Sequence, residues 1–142
     1  MSVLRNTRIK ALLITACVLA SGSPLAVADE EAPGTTPQIN ILKKSHLSTD
    51  ESVEVWIREH IYQPGWKAPT HSHNSDLFIY VVSGFFELTT KEEGHQIYKS
   101  GQAVRMRPGE VMDAGNASDV QPLKLAVVQV GGVDKPFVVP VE

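Results

Sequence analysis

Residues Thr70 to Gly84 read THSHNSDLFIYVVSG: two histidines one residue apart, a short polar step, then an apolar run that ends on glycine. An extended chain sends successive side chains to opposite faces, so His71 and His73 share a face, and Ser75, Leu77, Ile79 and Val81 continue it. Two imidazoles so placed can share one metal ion at about 2 Å from each ring nitrogen. They can equally be two polar residues left at a strand entrance.

Outward from this stretch, almost every segment has the period or composition of a strand. In SVEVWIREHIY, Val53, Val55, Ile57 and Ile61 alternate with Glu54, Trp56, Arg58 and His60, which predicts a core face on the first set; Gln63-Pro64-Gly65 stops the run. On that parity His60 belongs to a surface or an interface. Ser83-Gly84 turns the chain into FFELTT, whose Phe86, Leu88 and Thr90 share a face. KEEG (91–94) is a hairpin turn before HQIY, QAVRMR closes at Pro108-Gly109, and LKLAVVQV and FVV are separated by Gly131-Gly132. No window after the first thirty residues carries a helical stripe. At least seven short strands with glycine or proline turns predict an all-β sandwich or barrel.

The start of the chain differs in kind. Arg5, Arg8 and Lys10 precede an apolar run of ten residues, Ala11 to Ala20, and Pro24 precedes Ala26-Val27-Ala28. This is the layout of a secretory signal peptide over residues 1–28, with an apolar part shorter than the roughly 20 residues that span a bilayer. A lipid anchor on Cys17 competes with it, though Thr15 and the continuing apolar VLA do not suit that reading. Cleavage after Ala28 removes the only cysteine and leaves 114 residues with a net charge of −6, against −3 for all 142. No disulfide then stabilises the mature chain, and its basic residues are scattered among acids, which speaks against nucleic-acid binding. The expected product is soluble and periplasmic or secreted. DEEAPGTTPQ (29–38) reads as a flexible acidic tether, and residues 39–142 as one domain.

Two glycine-bounded motifs now carry a resemblance. Gly65 is followed after five residues by His71, then by His73, and Gly84 closes the first motif; GQAVRMRPGEVMDAGN supplies Gly101, Pro108-Gly109 and Asn116 of the second. On these the chain is similar to the cupin superfamily, double-stranded β-helix barrels of jelly-roll type, and especially to its small single-domain bacterial members. The likeness runs from about Val53 to Val130. It implies a barrel whose cavity holds His71 and His73, with Leu77 standing at the family's glutamate and Met112 at its second-motif histidine. The metal site implied is therefore degenerate. A one-residue bulge would bring Asp76 or Asp113 into it instead.

Met112 has two readings. As a ligand, its thioether completes a His71, His73, Met112 set that suits copper, Cu(I) above all; as filler, it is an apolar wall beside Leu77. Trp66, in the turn before the histidines, either lines a ligand pocket or caps the core, and His60, Phe78 and Tyr80 are candidates for the same mouth or wall, although parity favours a surface or interface place for His60; Trp66, Leu77 and Tyr80 are the expected ligand-binding residues. Arg105 and Arg107 lie on a solvated face or contact an anion. His46 and His95 are expected to be exposed. No residue is assigned a catalytic role, because neither a GxSxG elbow nor a phosphate loop is present.

Two functions compete. The chain is an exported cupin that binds a metal ion or small organic ligand through His71 and His73, with dioxygenase-like oxidoreductase chemistry in reach; or it is a non-catalytic binding or accessory domain that has lost its metal. The apolar PFVVPV end (136–141) and the barrels of this class point to a homodimer.

Overall fold

The structure is a computed structural model that describes residues 36–141. The expected signal segment, Cys17 and most of the tether lie outside the described residues. Ten strands follow in chain order: β1 Gln38–Leu47, β2 Asp50–Tyr62, β3 His71–Ser72, β4 Asp76–Ser83, β5 Phe85–Thr90, β6 Gly94–Lys99, β7 Ala103–Met106, β8 Met112–Asn116, β9 Leu123–Gly132 and β10 Val139–Pro140. There is no helix among the described residues. All pairings are antiparallel, in two five-stranded sheets of order β1-β2-β9-β4-β7 and β10-β3-β8-β5-β6.

The core lies between these sheets. From the first come Leu77, Ile79 and Val81 of β4, Leu123, Leu125 and Val127 of β9, and Met106 of β7; from the second come Phe86 and Leu88 of β5 and Met112 and Ala114 of β8. Period-two alternation selects these residues, and full burial of each large one contributes about 1.5–3 kcal/mol. The all-β double-stranded jelly-roll architecture expected from the motifs is the one observed.

The glycines of the two motifs make the corners. Gly84 has φ +88°, and a Cβ there would come within 2.7 Å of the Pro122 carbonyl, so only glycine permits the tight β4–β5 turn. Gly101 and Gly109 also have positive φ. The Gly109 amide donates to the His73 carbonyl at 2.8 Å, so the second motif's turn fastens the segment that carries the first motif's histidines. Asn116 is buried, donating to the carbonyls of Gln63 (3.1 Å) and Gln121 (2.7 Å) and accepting from the Ser118 amide (3.0 Å). It clamps loops.

Strand β2 reverses the expected parity. Glu54, Arg58, His60 and Tyr62 are the buried set, while Val53, Val55 and Ile57 are half-buried on the other face. Every inward group but one finds compensation. Glu54 pairs with Lys44 at 3.0 Å. Arg58 donates to Gln129 Oε1 at 2.5 Å, Gln129 donates in turn to Ser75 Oγ at 3.1 Å, and the guanidinium lies over the rings of Trp56 (4.6 Å) and Phe137 (4.4 Å). Buried polar groups with partners are tolerated, so hydropathy alone does not say which face of a strand is inside.

The apolar end of the chain has a seat within the molecule. Val139 and Pro140 pair with Ser72 and His71, and Phe137 packs edge-on against His60, with ring centroids 5.3 Å apart. Val138 and Val141 remain exposed.

Candidate functional site

A cavity of about 430 Å³ opens between the sheets. His71 and His73 both line it, on the face that period-two counting assigns them, with ring centroids 4.9 Å apart and planes at 88°. Leu77, Met112 and Trp66 line it too. Tyr80 and Phe78 do not. They share the outward parity of β4 and stand half-exposed beside Arg105, which donates to Asp76 at 2.9 Å; the expected role of Tyr80 in the wall is corrected on this point.

The residue that sequence parity sent outward, His60, lines the cavity and is 1% exposed. It belongs to an aromatic row along one wall: Phe137 beside His60, His60 edge-on to Tyr62 at 5.8 Å, and Tyr62 stacked on Trp66 at 4.0 Å. Trp66 therefore both lines the pocket and packs on the core. The signal for His60 was present in the sequence, since His60 and Tyr62 share parity and could form one inward pair.

Hydrogen bonds decide which nitrogen each imidazole offers. His71 Nδ1 lies 2.8 Å from the Pro69 carbonyl, and His73 Nδ1 bonds the Phe137 carbonyl. A carbonyl only accepts, so Nδ1 carries the hydrogen in both rings and Nε2 is left with its lone pair for a ligand. The same arrangement, an imidazole held from behind by a backbone oxygen, orients histidines at metal centres. Burial pushes His73 down to about 4, with the nearby His71 and Arg58 charges adding to it and the Phe137 hydrogen bond opposing. Burial likewise pushes His60 down to about 4, helped by Arg58 and His73. Both rings are neutral at pH 7. Burial raises the Tyr62 phenol above its ordinary range, so it stays protonated.

The donors at the cavity do not match a hard ion. Leu77 is 1% exposed and fills the place where a carboxylate was implied; Met112 stands directly across from His71 in the β3–β8 register. Neither strand is shifted to bring an acid inward: half-buried Asp76 is bound by Arg105, and exposed Asp113 accepts from Thr70 Oγ1 at 2.5 Å. Among the described residues no group of three or more His, Cys, Asp or Glu side chains is placed to hold a metal ion. Two borderline imidazoles and a soft thioether offer no oxygen ligand, which an oxygen-preferring ion does not match.

Comparison with solved structures finds the same fold. The polyketide cyclase RemF of Streptomyces resistomycificus is 21% identical, with a TM-score of 0.56 over 80% of this chain and 76% of that one. An RmlC-like cupin with a double-stranded β-helix fold from Methanocaldococcus jannaschii is also 21% identical, with a TM-score of 0.56 over 78% and 94%. The DMSP lyase DddQ of Ruegeria pomeroyi is 15% identical, with a TM-score of 0.54 over 61% of this chain and 43% of the lyase. These identities carry the fold alone. No curated protein matches the chain in sequence. The cupin domain family matches residues 58–129, from buried Arg58 to its partner Gln129, and with the two motifs and the sheet order this makes the chain a member of the cupin superfamily.

Proposed function

We propose that this protein is an exported cupin that takes a small organic ligand into the cavity between its sheets, with His71 and His73 as the polar contacts. The observation that carries this reading is the cavity itself. Its volume falls in the range of small-molecule sites, about 300–1,000 Å³, and its wall is apolar apart from a few imidazole and hydroxyl groups. Two structural relatives are named as a cyclase and a lyase, so the fold admits catalysis; among the described residues no carboxylate lines the cavity, and His71 and His73, with lone pairs at Nε2, are the proton acceptors in it. Binding is the form of the proposal that the cavity supports directly, and any turnover would fall to these imidazoles.

A soft metal ion at the same place is the second reading, and the pinned tautomers favour it. His71 Nε2, His73 Nε2 and the Met112 sulfur would hold Cu(I), and the bound ion would supply a soft Lewis acid or one-electron chemistry. Export is part of the proposal on the strength of the N-terminal pattern, and so is a homodimer, which the half-exposed Phe78, Tyr80 and Val82 on one outer face support.

Metal content and ligand binding test the two readings together. Protein purified without a His-tag should carry a small organic molecule or a stoichiometric soft metal, seen by native mass spectrometry and elemental analysis, and His71→Ala with His73→Ala should lose it. A wild type that holds neither, after exposure to copper and to a fragment library, would remove both.

A further inference from the structure

His60 is the group that the reading above leaves unused. Its Nε2 is the buried side-chain polar atom that has no hydrogen-bond partner among the described residues, and the ring lines the cavity with His71 and His73. A buried nitrogen without a partner destabilises a fold, and the partner such a group lacks in the protein is commonly a bound molecule. The neighbours that face it are Tyr62, Phe137, Arg58 and His73. Arg58 does not line the cavity, and its charge is engaged by Gln129 and by the faces of Trp56 and Phe137.

The hydrogen-bonding capacities of the three rings define what fits. His71 and His73, each giving its Nδ1 hydrogen to a backbone carbonyl, present lone pairs at Nε2 and can only accept. His60 is different, because its Nδ1 faces the Tyr62 hydroxyl at 2.7 Å, a group that donates or accepts; its Nε2 can therefore present a hydrogen. With Tyr62 donating to Nδ1, His60 Nε2 carries the hydrogen, and the polar end of the ligand then gives a hydrogen to the histidine pair and takes one from His60. A carboxylate has no hydrogen to give and would bring a charge into an apolar space, and an ether has none either. A hydroxyl does both. The aromatic row of Tyr62, Trp66 and Phe137 offers a flat apolar body a stacking surface.

Resting on the reading of the cavity as a small-molecule site, we propose that its ligand is an uncharged hydroxyl compound with an apolar body, the phenols being the simplest class, and that His60 is its third polar contact. His60 then sets the preference for hydroxyl over carboxylate. The residue is a binding group on β2, outside both glycine-bounded motifs.

Three probes that differ only in the polar group test this: para-propylphenol, para-propylanisole and para-propylbenzoate, titrated at pH 7 into the purified protein freed of metal by chelation. The phenol should bind at least about tenfold more tightly than the other two, and His60→Phe should weaken the phenol about tenfold while leaving the anisole unchanged, the size expected of one hydrogen bond. Nitrogen-15 spectra of the wild type should show Nε2 unprotonated on His71 and His73, and a shift of the His60 Nε2 signal when the phenol is added. Equal binding of the benzoate or the anisole would overturn the hydroxyl requirement and leave the cavity reading standing. An unmoved His60 signal at phenol saturation would remove His60 as a contact even if His60→Phe does not fold. Failure of all three probes to bind would take down the cavity reading, and this inference with it.

Discussion

The backbone carbonyl of Phe137 accepts the Nδ1 hydrogen of His73, across 64 residues of sequence, while the Phe137 ring lies 4.9 Å from the imidazole. The end of the chain thus both covers the inner wall of the cavity and fixes which nitrogen of His73 faces a ligand. Phe137→Ala keeps the carbonyl and loses the ring. It should cost about 1–2 kcal/mol of stability, since the ring is half-buried, and should leave the His73 tautomer as it is. Ending the chain at Lys135 removes both, so the His73 ring should lose its single tautomer in nitrogen-15 spectra; an unchanged spectrum would mean that Phe137 does not orient it.

Acid should destabilise the metal-free protein before its carboxylates titrate. His60 and His73 are held near 4 in the fold, chiefly by burial, against 6.5 in an unfolded chain. The unfolded state therefore binds more protons below pH 6.5, and stability falls as pH drops from 6.5 towards 4. At pH 5 each ring accounts for a loss of about 2 kcal/mol. Denaturant midpoints measured between pH 7 and pH 5 check this, and His60→Phe should flatten the slope by about one ring's share.

The two readings of Met112 separate by metal. Met112→Ala should weaken Cu(I) binding more than Zn(II) binding, because the thioether is a soft ligand; equal losses would make Met112 a packing residue only. Leu77→Glu with Met112→His restores the ligand types that the family motif implies. A folded double variant should gain affinity for manganese, iron or nickel in a metal titration, and no gain would show that His71 and His73 are not arranged to share an ion.

Two glycines with similar backbone angles should differ in what they tolerate. Gly84 and Gly101 have φ of +88° and +89°, but a Cβ at Gly84 meets the Pro122 carbonyl at 2.7 Å, whereas one at Gly101 meets nothing within 4 Å. Gly101→Ala should cost about 1 kcal/mol of backbone strain, and Gly84→Ala about 2 kcal/mol more. Thermal melts of the two variants decide it.

Export makes its own prediction. The mature N-terminus read by mass spectrometry should be Asp29, following Ala28. A retained Met1 or a lipid-modified Cys17 would refute the cleavage.

Much of this protein was already determined by local pattern in the sequence. Counting by two put Leu77, Ile79 and Val81 of β4 on one face and Phe86, Leu88 and Thr90 of β5 on one face, and both sets are buried; β9 was legible as a strand but not by face, because its outward Ala126, Val128 and Val130 are as apolar as its inward residues. The positive-φ glycines named the corners, since other residues are strained there. The shared face of His71 and His73 followed from parity alone.

Tertiary structure decided the rest, and β2 shows why. Its alternation identified two faces, but the inward face carries Glu54, Arg58 and His60, and these are tolerable only because Lys44, Gln129 and Tyr62 arrive from elsewhere on the chain or the same strand to meet them. Tyr80 was misplaced for the complementary reason: an aromatic residue near the histidines in sequence sits one residue off the inward parity, and so lies on the outer face. The role of Phe137 was beyond reach of any local reading. Its carbonyl has no preference of its own for His73, and only the closure of β10 onto β3 brings the two together. A period states that neighbouring side chains diverge; which of them is inside depends on what the other sheet and the chain end bring to meet it.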